Sequence, residues 1–333
     1  MNCVIFGAGA WGTAVAIHLD RLGHTVTLVP RRLEQALKLT TERINHDYLP
    51  NHTLAHSIQV GLETSPALMD AEIVFLACPS KGLADLLQQI GPELQKSSVL
   101  MVVSLCKGLD QNTLQRPTEL IQKSIGKIPA ATLSGPSNAN EVAQGNPTAM
   151  VLASLADVEA LRTVQTAISG PTLRVYTSND VAGVEIGGTL KNVYAIGAGL
   201  CDGLKLGDNA KAAFLTRALQ EMIRVGVALG GKSETFLGLS GAGDLMATAH
   251  GSWSRNRSLG QQIAQDPKAT LVALKTRRDA VEGYRATEAL SRLAQTHKLD
   301  APILFLLQKI LYEGLDARTG VTTLMTRDLK SEA

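Results

Sequence analysis

Short, mostly apolar runs recur along the first 180 residues, each followed by a turn and then a segment of helical period. The clearest lie at 2–6, 25–29, 72–77 and 99–104. Apolar runs of this length, bounded by turn residues, read as strands buried on both faces. Shorter ones at 130–133, 149–153 and 173–176 extend the series, with Ser134-Gly135-Pro136-Ser137 as a loop between the first two. Gly23 ends the first helix. Repeated strand–helix units predict a parallel sheet covered by helices, doubly wound through right-handed crossovers. Ligands of such sheets lie beyond the carboxyl ends of the strands. Lys81, Lys107 and Ser137 each follow a strand, so all three are candidates to face that crevice.

The pattern changes near Asp180. Helical periods dominate afterwards, at 181–200, 208–230, 255–265, 286–297 and 301–313. The expected division is an α/β domain over 1–179 and an all-α domain over 180–333.

Composition sets limits on function. With 32 basic and 30 acidic residues the net charge is +2, which argues against a general nucleic-acid footprint. No apolar stretch is long enough to span a bilayer, and no leader is expected before the first strand. The four cysteines, at 3, 78, 106 and 201, show no metal-ligand spacing and suit a reduced, cytoplasmic protein. There is no Gly-x-Ser-x-Gly elbow, no His-Glu-x-x-His and no Cys-x-x-Cys. His46, His52 and His56 fall in a polar stretch where exposure is expected.

Gly7-Ala8-Gly9-Ala10-Trp11-Gly12 follows the first strand directly and opens a helix. In that context Gly-x-Gly-x-x-Gly predicts a dinucleotide site; the alternative is a plain glycine turn. Gly7 would permit the turn, Gly9 the approach of a pyrophosphate, and Gly12 close helix–strand packing. An acid after the second strand would favour NAD, yet the chain has Val29-Pro30-Arg31-Arg32 there. Two arginines suit a 2′-phosphate, so NADPH is expected to be preferred, with NADH possible. The alternative is that Arg31 and Arg32 begin a solvated helix.

Chemistry is expected from the second half. Lys191 and Asn192 interrupt an apolar, glycine-rich helix over 184–199. A lysine there is a candidate proton donor and acceptor, unless it snorkels to the surface. Asp244 and Thr248 would share a face if their segment is helical, but Gly241-Ala242-Gly243-Asp244 reads equally as a turn and cap. Ser254-Arg255-Asn256-Arg257 precedes a helix and is either a phosphate clamp or a solvated surface.

Taken in order, these motifs carry a resemblance over nearly the whole chain. Gly7–Gly12, Tyr48-Leu49-Pro50, Lys107-Gly108-Leu109, Ser134-Gly135-Pro136-Ser137, Gly188-Thr189-Leu190-Lys191-Asn192, Gly241-Ala242-Gly243-Asp244-Leu245, Ser254-Arg255-Asn256-Arg257 and Val281-Glu282-Gly283-Tyr284 resemble bacterial NAD(P)-dependent glycerol-3-phosphate dehydrogenases. The resemblance implies a Rossmann-type doubly wound, mostly parallel sheet followed by an all-α domain of the 6-phosphogluconate-dehydrogenase-like kind. It implies reversible reduction of dihydroxyacetone phosphate to sn-glycerol 3-phosphate, which supplies glycerophospholipid synthesis. Lys191 corresponds to the general acid and base. Lys107 corresponds to a lysine that holds substrate and stabilises the oxyanion, and Asn192, Asp244 and Thr248 to the polar shell around them. Ser254, Arg255 and Asn256 match the phosphate site, and Gly135 and Ser137 the substrate loop. Ala10, Trp11, Arg31, Arg32, Tyr48, Lys107, Ala139, Arg255 and Glu282 match cofactor positions. No metal and no nucleic acid is implied, and a homodimer is. Many members carry Thr or Ser before the sheet lysine where this chain has Cys106. Two rival readings remain: another β-hydroxyacid-type dehydrogenase, and a catalytically silent NADP-binding sensor.

Overall fold

The structure is a computed structural model and describes residues 1–276, 281–329 and 331. It divides into two compact units, Met1–Glu185 and Ile186–Ala333. In the first unit the strands are β1 (Asn2–Phe6), β2 (Thr25–Val29), β3 (Ile44–Asn45), β4 (Leu49–Thr53), β5 (Gln59–Val60), β6 (Ile73–Leu76), β7 (Met101–Ser104), β8 (Ala130–Ser134), β9 (Thr148–Ser154) and β10 (Leu173–Ser178). Its helices are α1 (Ala10–Arg21), α2 (Leu33–Glu42), α3 (Thr64–Leu68), α4 (Leu83–Leu94), α5 (Pro117–Ile125), α6 (Ala139–Gln144) and α7 (Val158–Ile168).

Eight strands form one sheet in the order β10-β9-β8-β7-β6-β1-β2-β5. Strands from β8 to β5 run parallel, as their apolar sequences require. β9 pairs antiparallel to β8, so the sheet is mostly parallel rather than wholly so. The reversal follows from α6, which packs on α1, where Arg21 donates to the carbonyls of Val142 and Ala143. Gly145 then takes a left-handed conformation and turns the chain back.

Alternate strand residues build two cores. Cys3, Ile5, Phe75, Met101 and Val103 pack with Ala14, Val15 and Leu19 of α1 and Val164 and Ile168 of α7. Val4, Phe6, Val74, Leu76 and Val102 pack on the other face with Leu87, Ile90 and Leu94 of α4 and Ile121 of α5. Each such fully buried side chain contributes about 1.5–3 kcal/mol against the unfolded chain.

Part of the stretch expected to be a polar loop is instead the antiparallel β3–β4 pair, while His56 beyond it is exposed as expected. His46 is exposed, but His52 is half-buried and bonds the Asn140 side chain at 2.8 Å. Pro50, Asn51 and His52 mask the strand pattern, because an edge strand tolerates polar residues and proline.

One long helix, α8 (Val181–Gly203), runs from the first unit into the second. The second unit continues with α9 (Asp208–Ala228), α10 (Ser233–Leu237), α11 (Asp244–His250), α12 (Arg255–Gln265), α13 (Pro267–Thr276), α14 (Glu282–Thr296), α15 (Pro302–Tyr312) and α16 (Ala317–Met325). α8 and α12 meet backbone to backbone. A Cβ on Gly199 would strike the Arg257 carbonyl, and one on Gly260 the Ile196 carbonyl. Buried Glu221 of α9 accepts the N–H groups of Ile303 and Leu304 at 2.9 and 2.8 Å, capping α15, and Tyr194 donates to it at 3.2 Å.

Candidate active site

Within the first unit, the glycine motif expected to hold the cofactor lies at the carboxyl end of β1. Gly7 has φ of +110° and donates its N–H to the Val29 carbonyl at 2.8 Å, which ties the glycine turn to the end of β2. A Cβ on Gly12 would strike the Gly7 carbonyl, so helix and turn touch directly. A Cβ on Gly9, the N-cap of α1, would meet nothing within 4 Å. That open space lies at a helix N-terminus, where backbone N–H groups and the helix dipole favour phosphate. The Trp11 indole N–H is buried without a hydrogen-bond partner. The residues present therefore fit a dinucleotide.

Two residues that sequence reasoning missed brace the turn. Buried Asn45 donates to the Ala8 carbonyl at 3.0 Å and to the Thr13 hydroxyl at 2.7 Å. Gln35 donates to the same carbonyl at 2.8 Å. Arg31 and Arg32 are both exposed just before α2, with Arg32 3.8 Å from Asp47. Tyr48 is exposed beside β4, and Ala139 is the first residue of α6.

Further along the sheet, Lys107, Gly135 and Ser137 come together. Lys107 Nζ donates to the Gly135 carbonyl at 3.2 Å, and the Ser137 hydroxyl donates to it at 2.9 Å. Gly135 has φ of +143°, a backbone conformation that favours glycine, and its carbonyl accepts from both side chains. Glu185 is a third residue without local signal. Its buried carboxylate accepts the Thr118 N–H at 2.9 Å, the Thr118 hydroxyl at 2.6 Å and the Arg116 guanidinium at 3.1 Å. Burial pushes this carboxyl up to about 7, against the opposing pull of Thr118 and Arg116.

In the second unit, Lys191 does not snorkel. Its side chain is 7% exposed, 3.0 Å from Asp244 Oδ1, and it donates to the Thr248 hydroxyl at 2.8 Å. Thr248 in turn donates to Asp244 at 3.2 Å. The segment read as a plain turn is a π-helical turn over Leu239–Gly243 that leads into α11, and α11 puts Asp244 and Thr248 on one face. A buried ammonium held by one carboxylate and one hydroxyl is fixed in position and charge-compensated.

Beside it runs an amide chain. Asn256 Nδ2 donates to Asn192 Oδ1 at 2.8 Å, and Gly283 N–H donates to Asn256 Oδ1 at 3.0 Å. Asn256 thus fastens α8 to the first turn of α14, where Glu282 sits half-buried. Ser254 is buried as the N-cap of α12, accepting the Arg257 N–H at 3.2 Å. Arg257 is committed to Asp202 at 2.6 Å, and Lys211 bonds the same carboxylate at 2.9 Å. These cations hold the Asp202 carboxyl below its ordinary range despite its partial burial. Arg255 is exposed at the first position of α12.

A doubly wound sheet with a glycine turn, joined to a helical unit that buries a lysine, is the architecture of two-domain dinucleotide-dependent dehydrogenases. Comparison with known proteins narrows the class. The family described as NAD-dependent glycerol-3-phosphate dehydrogenase N-terminus matches residues 2–160, and the C-terminus family of the same description matches 180–322. A glycerol-3-phosphate dehydrogenase (NAD(P)+) of Thermoanaerobacter sp. is 43% identical over 332 residues, spanning 100% of this chain and 99% of its own. One from Thermus thermophilus is 42% identical over 334 residues, spanning 100% of both. The crystal structure of glycerol-3-phosphate dehydrogenase from Coxiella burnetii superimposes with a TM-score of 0.91 at 34% identity, covering 98% of each chain. A ketopantoate reductase family structure from Ralstonia eutropha, at 17% identity and TM-score 0.60, shares the fold. The chain belongs to the NAD-dependent glycerol-3-phosphate dehydrogenase family. No helix among the described residues is long and apolar enough to cross a membrane.

Proposed function

We infer that this chain is an NAD(P)-dependent oxidoreductase that reversibly reduces dihydroxyacetone phosphate to sn-glycerol 3-phosphate. The observation that carries the reading is Lys191, buried on the mostly apolar α8 and held by Asp244 and Thr248 of α11. The bound nicotinamide supplies the hydride. Gly7, Gly9, Ala10, Trp11 and Gly12 would hold its pyrophosphate side, with Tyr48, Ala139 and Glu282 as further contacts.

Lys191 donates a proton from Nζ to the C2 oxygen of the ketone and takes it back in the reverse direction. Asp244 and Thr248 hold that nitrogen in place, so the proton is delivered from a fixed point. Lys107, placed on the Gly135 carbonyl, offers positive charge to the oxygen as it becomes negative. Asn192 orients beside Lys191 through its bond from Asn256. Arg255, Ser254 and the N-terminus of α12 receive the substrate phosphate, with Asn256 giving its second amide hydrogen. Binding energy from this remote group holds the carbonyl for reaction.

NADPH is the preferred cofactor in this reading. Arg31 and Arg32 stand exposed at the end of β2, where the dinucleotide's ribose is read, and no acid stands there before Glu34. A homodimer and a cytoplasmic location complete it.

The test is NADPH oxidation with dihydroxyacetone phosphate, beside Lys191→Ala. Turnover should fall at least ~1,000-fold in the variant while NADPH still binds. Near-normal turnover by Lys191→Ala would remove the assigned role. Cofactor binding without turnover in the wild-type chain would favour the silent sensor.

A further inference from the structure

Cys78 and Cys106 stand at matching positions beyond two adjacent parallel strands. In the β6–β7 pair Leu76 lies opposite Ser104. The ladder continues past the strand ends, since Leu105 donates its N–H to the Leu76 carbonyl at 2.9 Å. Two residues beyond Leu76 and Ser104 come the two thiols, with 3.9 Å between their Sγ atoms. Cys106 is buried, and its Sγ lies 2.9 Å from the Cys78 carbonyl and 3.5 Å from that of Leu76. Cys78 is half-buried. Neither has a part in the reaction derived above. The other two cysteines do not compete, because burial pushes the Cys3 thiol up to about 12 and the Cys201 thiol up to about 11.

We propose that Cys78 and Cys106 form a reversible disulfide modification site that lowers turnover when oxidised. Neighbouring strands lie about 4.8 Å apart, inside the ~4.4–6.8 Å Cα separation that a disulfide spans. The sulfurs need to close from 3.9 Å to about 2.05 Å, which a small shift of the two post-strand segments supplies.

Hydrogen peroxide is the oxidant. The Cys78 sulfur gives up its proton and takes the distal peroxide oxygen as the O–O bond breaks. The leaving oxygen departs as water, and Cys78 carries a sulfenic acid. The Cys106 sulfur then attacks the Cys78 sulfur, the S–O bond breaks, and a second water leaves with the Cys106 proton. Two sulfurs lose two electrons, which the peroxide gains. A dithiol reductant reverses the linkage by exchange.

Cys106 immediately precedes Lys107, whose ammonium rests on the Gly135 carbonyl. The effect on turnover rests on the reading of Lys107 as a substrate lysine. A displacement of about 1 Å in a reacting group can cost ~100-fold in rate. Oxidation is expected to lower turnover at least tenfold.

The experiment treats the full chain with hydrogen peroxide, then reads turnover of dihydroxyacetone phosphate and maps thiols by mass spectrometry after alkylation. A Cys78–Cys106 linked peptide should appear as turnover falls, and dithiothreitol should restore both. Cys78→Ser and Cys106→Ser should keep basal turnover and form no such peptide, and Cys78→Ser should hold its activity under peroxide. Cys78 and Cys106 both remaining alkylatable after the activity is lost would overturn the proposal. So would a linked peptide with unchanged turnover. Lys107→Ala separates the two readings: full turnover there removes the role of Lys107, while the linked peptide is judged by mass alone.

Discussion

Replacing Asp244 by Asn removes one charge from a buried pair without opening a cavity. Asp244 and Lys191 side chains are 1% and 7% exposed, so water screens neither. Their 3.0 Å separation corresponds to roughly 5 kcal/mol of attraction at an effective dielectric of about 20. Breaking a buried pair from one side costs about 3–5 kcal/mol, because the ammonium is left uncompensated. The Thr248 hydroxyl keeps its 2.8 Å bond to Lys191 and limits the loss. Asp244→Asn is therefore expected to destabilise the helical unit by about 3 kcal/mol. The chain has two tryptophans, Trp11 in the first unit and Trp253 in the second. Urea unfolding in a Trp11→Phe background reads the second unit through Trp253 alone. Turnover should fall about 100-fold, since the proposed proton donor loses its anchor. A stability loss under about 1 kcal/mol would refute the argument, for it would mean that Lys191 and Asp244 do not face each other as two charges.

Replacing Arg31 and Arg32 together by Ala should raise KM for NADPH at least ~10-fold and for NADH less than ~3-fold, measured by initial rates; equal changes would sink the 2′-phosphate assignment. Arg255→Ala should lower kcat/KM for dihydroxyacetone phosphate about 100-fold and leave unphosphorylated dihydroxyacetone within about threefold, which separates a phosphate contact from general damage. Glu185 gives a pH signature. Its folded carboxyl titrates at about 7 against 4.5 for the free group, so between these values the native state binds more protons than the unfolded chain. Stability should fall as pH rises through this window, by up to about 3 kcal/mol, and remain lowered above it. Glu185→Gln should flatten that part of a denaturation-versus-pH curve; an unchanged slope would refute the raised titration.

The legible parts of the fold were those whose burial is two-sided. β1, β6 and β7 are almost wholly apolar, because helices cover both their faces, and β2 is legible through Val26, Leu28 and Val29. β3 and β4 were illegible for the opposite reason, as their residues sit on a small separate sheet with exposed positions. The antiparallel entry of β9 depends on how α6 packs, which no local pattern encodes. In the site, Lys191 declared itself by interrupting an apolar helix, and the four-residue spacing of Asp244 and Thr248 was readable once a helix was assumed. Their meeting with Lys191 was not, since more than fifty residues separate them. Asn45, Gln35 and Glu185 gave no signal, because their importance lies in partners far along the chain.

The backbone contact between α8 and α12 bears on how this protein can change over generations. Gly199 and Gly260 leave no volume for even a methyl group, so almost every mutation at either codon separates two helices. Those helices carry Lys191 and Arg255. A library of variants selected for growth would discard changes at these glycines as severely as changes at Lys191. Intolerance alone would then mark four positions with equal weight, two that the proposed reaction assigns to the substrate and two whose service is to be empty.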